Sequence, residues 1–210
     1  PVQVISGECE AELIFRGVCT DATWRGERLL VMDVGGGSSE WILGRDGAVE
    51  RKRSVSVGAV RLREQFGDDL DGMRRFLRAE LAVLLEPFRG GWQRMIGTGG
   101  TIVTLARIVA AAERGCRLAD GGEWEAVITA VDHARLSRSL VCEWTERLNR
   151  MQLDERRRVP GLPAERADII VGGAALFAVA MELLGAEELT VSVRSLRFGL
   201  LAAQTACFPC

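Results

Sequence analysis

The chain has 210 residues, and its 29 acidic and 27 basic side chains give a net charge of −2 and a pI of about 5.7. Proteins that bind nucleic acids or membrane surfaces usually carry a basic excess, so this charge argues against both classes of partner. With 48% apolar residues, no apolar run near the ~20 residues that span a bilayer and no secretory signal, the composition favours a globular protein of the cytoplasm.

The small number of histidine and cysteine residues limits the kinds of metal site and catalysis that the chain can support. His133 is the single histidine, so multi-histidine metal sites are excluded, and we expect it on the surface at the start of a helix. The six cysteines are scattered as in a protein with reduced thiols, and the Cys207–Cys210 pair is weak support for a redox or metal half-site. Hydrolytic chemistry would therefore depend on carboxylates, main-chain amides and a metal ion.

The predicted elements begin with strands. Apolar and β-branched residues predict strands at 2–5, 29–34, 41–43 and 49–57, and the glycine-rich turns between them indicate a β-meander. From Met73 onward, apolar residues recur at spacings of three and four, which predicts a helix over 73–85 that ends near Pro87. A short strand at 92–96 and a helix over 102–112 follow.

The second half of the chain is mainly helical. Apolar spacing predicts helices over 136–148, over the charged segment 151–158 that Pro160 and Pro163 close, and over 196–205, with a strand at 188–193. Residues 169–184 are apolar on all sides, which is typical of a helix inside the core. The whole pattern predicts one α/β domain over 1–210, in which helices flank a mixed sheet and 120–160 form a helical subregion.

The strongest local motif is the segment 29–44, in which an apolar strand ends in Asp33. A carboxylate at a strand tip can hold hydrated Mg²⁺, and glycines allow main-chain N–H groups to approach an anion. A tight turn between two strands is the alternative, although it would need fewer glycines. The predicted metal ligands and phosphate cradle are Asp33, Gly35, Gly36, Gly37, Ser38 and Glu40.

A second glycine motif lies at 95–106, where a short strand leads through a loop into a helix. Such a loop directs helix N-terminal amides at an anion. Close packing of the helix on the strand explains the glycines equally well, and Thr101 could be a helix cap. The predicted phosphate-binding residues are Gly97, Thr98, Gly99, Gly100 and Thr101.

Four segments together resemble a known family. DVGGGSSE (33–40), GTGGT (97–101), VISGECEAELIFRGV (4–18) and GLPAERADIIVGGAALF (161–177) are similar to the exopolyphosphatase and guanosine pentaphosphate phosphohydrolase (Ppx/GppA) family, of the actin-like, sugar kinase and Hsp70 ATPase superfamily. The resemblance implies a ribonuclease H-like fold in two halves that grip phosphate between them. Because the DxGSNS loop of the N-terminal half is missing and Pro1 is not methionine, we expect the chain to be the C-terminal half, with a hinge at 1–27 and a core at 28–210.

The resemblance also assigns roles to individual residues. Glu10 would be the base that activates the attacking water, Asp33 a Mg²⁺ ligand through water, and Glu40 a second acid that holds metal or water. Both glycine loops would bind phosphate. From the residues alone, exposed carboxylates on a helix are the simpler interpretation of Glu10 and Glu12.

The implied activity is Mg²⁺-dependent release of terminal orthophosphate from inorganic polyphosphate or guanosine pentaphosphate, with the missing N-terminal half as partner. The isolated chain would be nearly inactive and could form a homodimer through its exposed inter-half face. Two alternatives stay open: a non-hydrolysing nucleotide sensor, favoured by Phe198 in place of an acid of the family, and a transferase to nucleoside diphosphates. The arginine segment 147–158 is either a polyanion contact or a solvated helix face.

Overall fold

The computed structural model describes residues 4–114 and 131–205. Strands are β1 (Arg28–Val34), β2 (Ser39–Arg45), β3 (Ala48–Val55), β4 (Arg94–Thr98), β5 (Arg135–Ser137) and β6 (Glu188–Val191). Helices are α1 (Gly7–Cys19), α2 (Ala59–Phe66), α3 (Leu70–Leu85), α4 (Gly99–Arg114), α5 (Arg138–Arg150), α6 (Leu153–Arg156), α7 (Ile170–Leu184) and α8 (Leu196–Thr205).

All six of these strands form one mixed sheet in the order β3-β2-β1-β4-β6-β5. The first three strands are the expected antiparallel meander, whereas β4 runs parallel to β1 and β6 runs parallel to β4. Strand β5 closes the other edge antiparallel to β6. The predicted α/β architecture with a mixed sheet is confirmed.

Each face of the sheet packs on different helices, because successive side chains of a strand point to opposite faces. Leu30 and Met32 of β1 lie in the larger core, which α7 fills with apolar residues on every side. Leu29 and Val31 lie in a smaller core with Phe15 of α1. The expected buried helix is therefore confirmed as the centre of the larger core.

Helix α1 packs unusually close to α8 on the smaller-core face. A Cβ atom at Gly17 would collide with the carbonyl oxygen of Ser195, and one at Gly199 would collide with that of Leu13. The two glycines therefore allow main chain to touch main chain, so α1 and α8 are joined by close backbone contact.

Several element predictions need correction. Val4 and Ile5 of the predicted strand 2–5 precede α1 in irregular conformation. A helix around Glu10 and Glu12 is one interpretation of the sequence but is not placed among the predicted elements, and α2 is not predicted. The predicted helix 136–148 begins with the short strand β5, because residues 135–137 pair with β6 before α5 starts. Residues 1–3, 115–130 and 206–210, with Cys116, Cys207, Cys210 and part of the helical subregion 120–160, lie outside the described residues.

The arginine segment is largely committed to contacts within the chain. Arg156 is 2% exposed and donates to Asp68 and to the carbonyl of Met151. Arg157 pairs with Asp154, and Arg147 lies over the ring of Trp144. Because this guanidinium is buried and paired within the chain, Arg156 is not available to a polyanion at the surface, and the polyanion interpretation is wrong for this residue.

Two further expectations concern thiols and membranes. Among the described residues, Cys9, Cys19 and Cys142 form no disulfide bond, which agrees with the expected thiols. Within the parts of the chain that the structure describes, none of the helices is long and apolar enough to cross a bilayer.

Candidate active site

A row of polar side chains crosses four strands of the sheet. Ser54 of β3 is opposite Glu40 of β2, Glu40 is opposite Asp33 of β1, and Asp33 is opposite Thr98 of β4. Residues directly opposite one another project from the same face. Since Asp33 projects from the same face of β1 as Leu29 and Val31, this face is the one that α1 covers. The fold therefore brings the two predicted acids together beneath α1.

The two carboxyl groups of the row are buried without a neutralising ion pair among the described residues. Asp33 is 8% exposed and Glu40 is 1% exposed. Burial raises the pKa of Asp33 to about 6 and the pKa of Glu40 to about 7. Hydrogen bonds from Ser195 to Asp33 and from Ser54 and Ser38 to Glu40 lower these pKa values, but burial dominates.

Helix α1 carries Glu10 to the same row. Its first residue, Gly7, lies so close to Ser54 that a Cβ atom there would collide with the serine hydroxyl. Burial is the main cause of the raised pKa of Asp33 and of Glu40, and the charge of Glu10 adds to both, so α1 places Glu10 near these two carboxyl groups. Glu12 faces β3 instead, where its Oε1 lies 2.9 Å from Nζ of Lys52. The structure thus separates Glu10 from Glu12, which the sequence alone could not do.

The first glycine loop is closed by the start of α2. The N–H of Gly35 donates to the carbonyl of Ser38 across the turn at 3.0 Å, so this amide is already occupied. Carbonyls of Gly35 and Gly36 accept N–H groups of Ala59 and Val60, both at 2.9 Å. Main-chain contact at this point also explains Gly58, where a Cβ atom would collide with the Gly36 carbonyl.

The two threonines of the second glycine loop use their hydroxyl groups inside the fold. Thr98 is fully buried, and its Oγ1 lies 2.9 Å from the carbonyl oxygen of Ser192 and 3.0 Å from that of Arg194. Thr101 is also buried, and its hydroxyl lies 3.4 Å from the carbonyl oxygen of Val34. Gly97 faces the larger core, where a Cβ atom would lie 3.3 Å from the Phe177 ring. These three residues shape the loop from within, and Gly99 and Gly100 form its outer surface.

Gly99 touches the row directly. It has a φ of 84°, and a Cβ atom at this position would collide with Oδ1 of Asp33. Both observations require glycine, because a left-handed conformation is unfavourable for other residues and no space remains for a side chain.

Gly99→Ala is therefore expected to destabilise the protein by more than the left-handed conformation alone, which costs roughly 1–2 kcal/mol. Gly185→Ala is the matched control, since Gly185 has a φ of 70° with nothing within 4 Å of an added Cβ atom. Chemical denaturation should show a loss at least about twice that of the control. Equal losses would mean that the contact with Asp33 is unimportant.

A cavity of about 330 Å³ opens beside this loop. Gly99 and Gly100 form one wall, and Arg107, Arg166 and Arg197 supply cationic groups. A Cβ atom on Gly100 would collide with the Arg166 guanidinium, so that side chain lies directly on the loop. The Nε of Arg107 is buried and has no hydrogen-bond partner among the described residues. Guanidinium groups at a glycine loop suit phosphate oxygens.

The donor set of the row fits a hard divalent cation. Asp33 and Glu40 are oxygen ligands, which Mg²⁺ prefers, and their burial side by side leaves two negative charges that a cation would neutralise. A separate group, Asp21, Asp132 and His133, lies at the end of α1. There His133 Nε2 lies 2.7 Å from Asp21 Oδ2, and His133 has a φ of 64° in a turn before β5. The prediction of His133 at a helix start is wrong.

Comparison with known proteins identifies the family. The sequence profile of the Ppx/GppA phosphatase family matches residues 1–206. The chain belongs to the Ppx/GppA phosphatase family. The family predicted from the four motifs is thereby confirmed, and the match extends over both glycine loops and all three carboxylates.

Individual relatives of this Ppx/GppA chain agree with that result. It is 30% identical over 208 residues to a guanosine-5'-triphosphate,3'-diphosphate pyrophosphatase of Aeromonas hydrophila, covering 95% of this chain and 38% of the relative. It is 30% identical over 210 residues to a putative exopolyphosphatase of Haemophilus influenzae, covering 96% and 59% respectively. This chain therefore spans between about two fifths and three fifths of the curated relatives it matches.

Solved structures of Ppx/GppA proteins share the fold. The Aquifex aeolicus family member superposes with a TM-score of 0.82 at 26% identity, covering 97% of this chain and 64% of that chain. An exopolyphosphatase from Cytophaga hutchinsonii gives a TM-score of 0.79 at 29% identity, covering 97% and 65%. The actin-like fold expected from the resemblance is confirmed by these neighbours.

Sequence reasoning missed several residues of this Ppx/GppA site. Ser54 and Ser195 donate hydrogen bonds to the two acids at 2.8 Å and 2.6 Å. Ser54 could have been found from the register of the meander, since it is opposite Glu40. Arg166 lies within the quoted family segment 161–177, but nothing in the sequence indicates that it reaches Gly100.

Proposed function

We propose that this chain is the C-terminal half of a Mg²⁺-dependent hydrolase that releases terminal orthophosphate from inorganic polyphosphate or guanosine pentaphosphate. The observation that carries the proposal is that Asp33 and Glu40 lie side by side between two glycine loops, with Glu10 of α1 near enough for its charge to raise the pKa of both. Hydrolysis of a phosphoanhydride needs little besides neutralised charge and an aligned water molecule.

In this proposal each element of the site has a separate task. Asp33 and Glu40 would hold Mg²⁺, which supplies positive charge to the phosphate oxygens when it is bound. Ser38 and the amides of Gly36 and Gly37 form the cradle for the terminal phosphate. Arg166, at the surface of the second loop, would hold the next phosphates of the chain.

Glu10 would be the general base. Its carboxylate accepts a proton from water while the water oxygen bonds to the terminal phosphorus, and the anhydride P–O bond breaks. The leaving oxygen stays on the shortened chain, and the new orthophosphate departs. A base on α1 is suitable because close backbone contact at Gly17 and Gly199 fixes α1 against α8, and Phe15 of α1 packs on β1 in the smaller core.

The proposed enzyme also needs a second half of the same polypeptide. Only one wall of a phosphate cleft is formed by this chain, so the N-terminal half would close it and exclude water. Residues 1–27 would be the hinge and 28–210 the core of the C-terminal half. The chain by itself would have almost no activity, and its exposed inter-half face would favour a homodimer.

The test is orthophosphate release by the full-length gene product that contains this chain. Long-chain polyphosphate and guanosine pentaphosphate are supplied separately, each with Mg²⁺ and with a chelator. We expect Mg²⁺-dependent release from at least one substrate. Saturable binding of guanosine pentaphosphate without release would overturn the proposal in favour of a sensor, and phosphate captured by added ADP would indicate a transferase.

A further inference from the structure

Ser195 makes an unusual use of its hydroxyl group. It directly precedes α8, and its carbonyl accepts the N–H groups of Phe198 at 3.0 Å and Gly199 at 3.2 Å. A serine at this position commonly accepts a helix N–H with its side chain. Here the hydroxyl donates to Oδ2 of Asp33 at 2.6 Å, a short charge-assisted hydrogen bond.

The Asp33 carboxylate is confined on both sides by this contact and by the second glycine loop. Its Oδ1 is packed against Gly99, and its Oδ2 accepts from Ser195. Rotation about the terminal torsion would push Oδ1 into the Gly99 backbone or break the bond to Ser195. The hydroxyl group therefore selects one orientation of a group that otherwise rotates broadly.

The position of Ser195 is itself fixed from two directions. Thr98 contacts the carbonyls of Ser192 and Arg194, and the N–H of Ser192 donates to Gly97 at 2.9 Å, so β4 holds the segment that leads to Ser195. From the other side, Gly17 of α1 abuts the Ser195 carbonyl. A donor held this firmly can orient a partner, whereas a mobile one cannot.

From this geometry we infer that Ser195 is a positioning residue for Asp33, which holds the carboxylate in the orientation that binds the divalent cation. The inference rests on the proposed function for the identity of the site as a metal site. It adds a residue that none of the four family motifs contains. It also gives Thr98 a task, since its hydroxyl fixes the segment that carries Ser195.

The test is Mn²⁺ binding by the full-length gene product, with Mn²⁺ as the probe for a Mg²⁺ site of carboxylate oxygens. Electron paramagnetic resonance measures the free ion during a titration. Ser195→Ala is expected to weaken Mn²⁺ binding by about ten-fold, the loss typical of groups that orient metal ligands. The Mg²⁺ concentration for half-maximal phosphate release should rise by the same factor.

Ser137→Ala is the matched control. Ser137 precedes α5, and its hydroxyl accepts the N–H of Leu140 at 3.2 Å, so this variant loses a helix cap without touching the site. Its Mn²⁺ affinity should equal that of the wild type. If Ser195→Ala binds Mn²⁺ within two-fold of this control, the positioning role is wrong.

Failure of the proposed function would look different. If the wild type releases no phosphate but Ser195→Ala still weakens Mn²⁺ binding, the positioning role is supported and the hydrolase proposal is rejected. A wild type that binds no Mn²⁺ would overturn the positioning role directly.

Discussion

Replacement of Glu10 by glutamine is expected to slow orthophosphate release by about 10³-fold, within the range that a general base contributes. Glutamine keeps the size and shape of the side chain and can still form hydrogen bonds, but its amide cannot accept the proton from water. Binding of substrate should change little, so the loss should appear in kcat rather than in KM. Steady-state kinetics of the full-length protein with polyphosphate and with guanosine pentaphosphate provides the measurement.

Glu8→Gln is the matched control for this experiment. Glu8 lies on the same helix two residues earlier, and its carboxylate is 63% exposed and 3.9 Å from Lys52. Removal of this surface charge should leave kcat within about two-fold, since exposed pairs contribute little. Equal kcat values for Glu10→Gln and Glu8→Gln would remove Glu10 from the mechanism while leaving the fold assignment intact.

Replacement of Glu40 by glutamine is expected to abolish activity and yet raise the melting temperature of the metal-free protein at pH 8. The pKa of Glu40 is raised by burial from 4.5 to about 7. Folding therefore favours the protonated form, and stability is lost as the pH rises from about 4.5 through 7. Glutamine cannot ionise, so this variant avoids the loss.

The stability difference between the wild type and Glu40→Gln follows from the size of the pKa shift. The shift in the pKa of Glu40 from 4.5 to about 7 corresponds to a stability difference on the order of 3 kcal/mol above pH 7, or about 10 °C in melting temperature for a domain of this size. Near pH 4.5 the two proteins should melt alike. Mg²⁺ at pH 8 should stabilise the wild type more than the variant. A variant that is less stable than the wild type at pH 8 without metal would contradict the buried charge.

Local sequence patterns predicted much of the sheet and the central helix. The meander β1-β2-β3 follows from short β-branched runs between glycine turns, and α7 follows from 15 residues with hardly any polar side chain. Helix α1 was harder to detect, because Gly7 and Gly17 have low helix propensity and are explained only by contacts with Ser54 and Ser195. Contacts with distant parts of the chain, rather than local propensity, therefore explain the glycines of α1.

The candidate site was predictable only in part for a similar reason. Asp33 and Glu40 lie two and three residues from the glycine run 35–37, so a motif shows them, and Glu10 came from family resemblance. The direction of a hydroxyl group, by contrast, depends on partners that are distant in the sequence. Thr98 donates to the carbonyls of Ser192 and Arg194, which follow it by 94 and 96 positions, and Ser195 donates to Asp33, which precedes it by 162 positions. No local pattern contains that information, and the structure had to supply it.

The central claim is that a water molecule activated at the carboxylate row attacks a terminal phosphorus atom. Phosphate release in water enriched in ¹⁸O tests this most directly, with polyphosphate or guanosine pentaphosphate, Mg²⁺ and the full-length protein. Mass spectrometry of early product should show one solvent oxygen in each orthophosphate, with no label in the remaining chain. Unlabelled orthophosphate, or label in the shortened chain, would contradict the proposed mechanism.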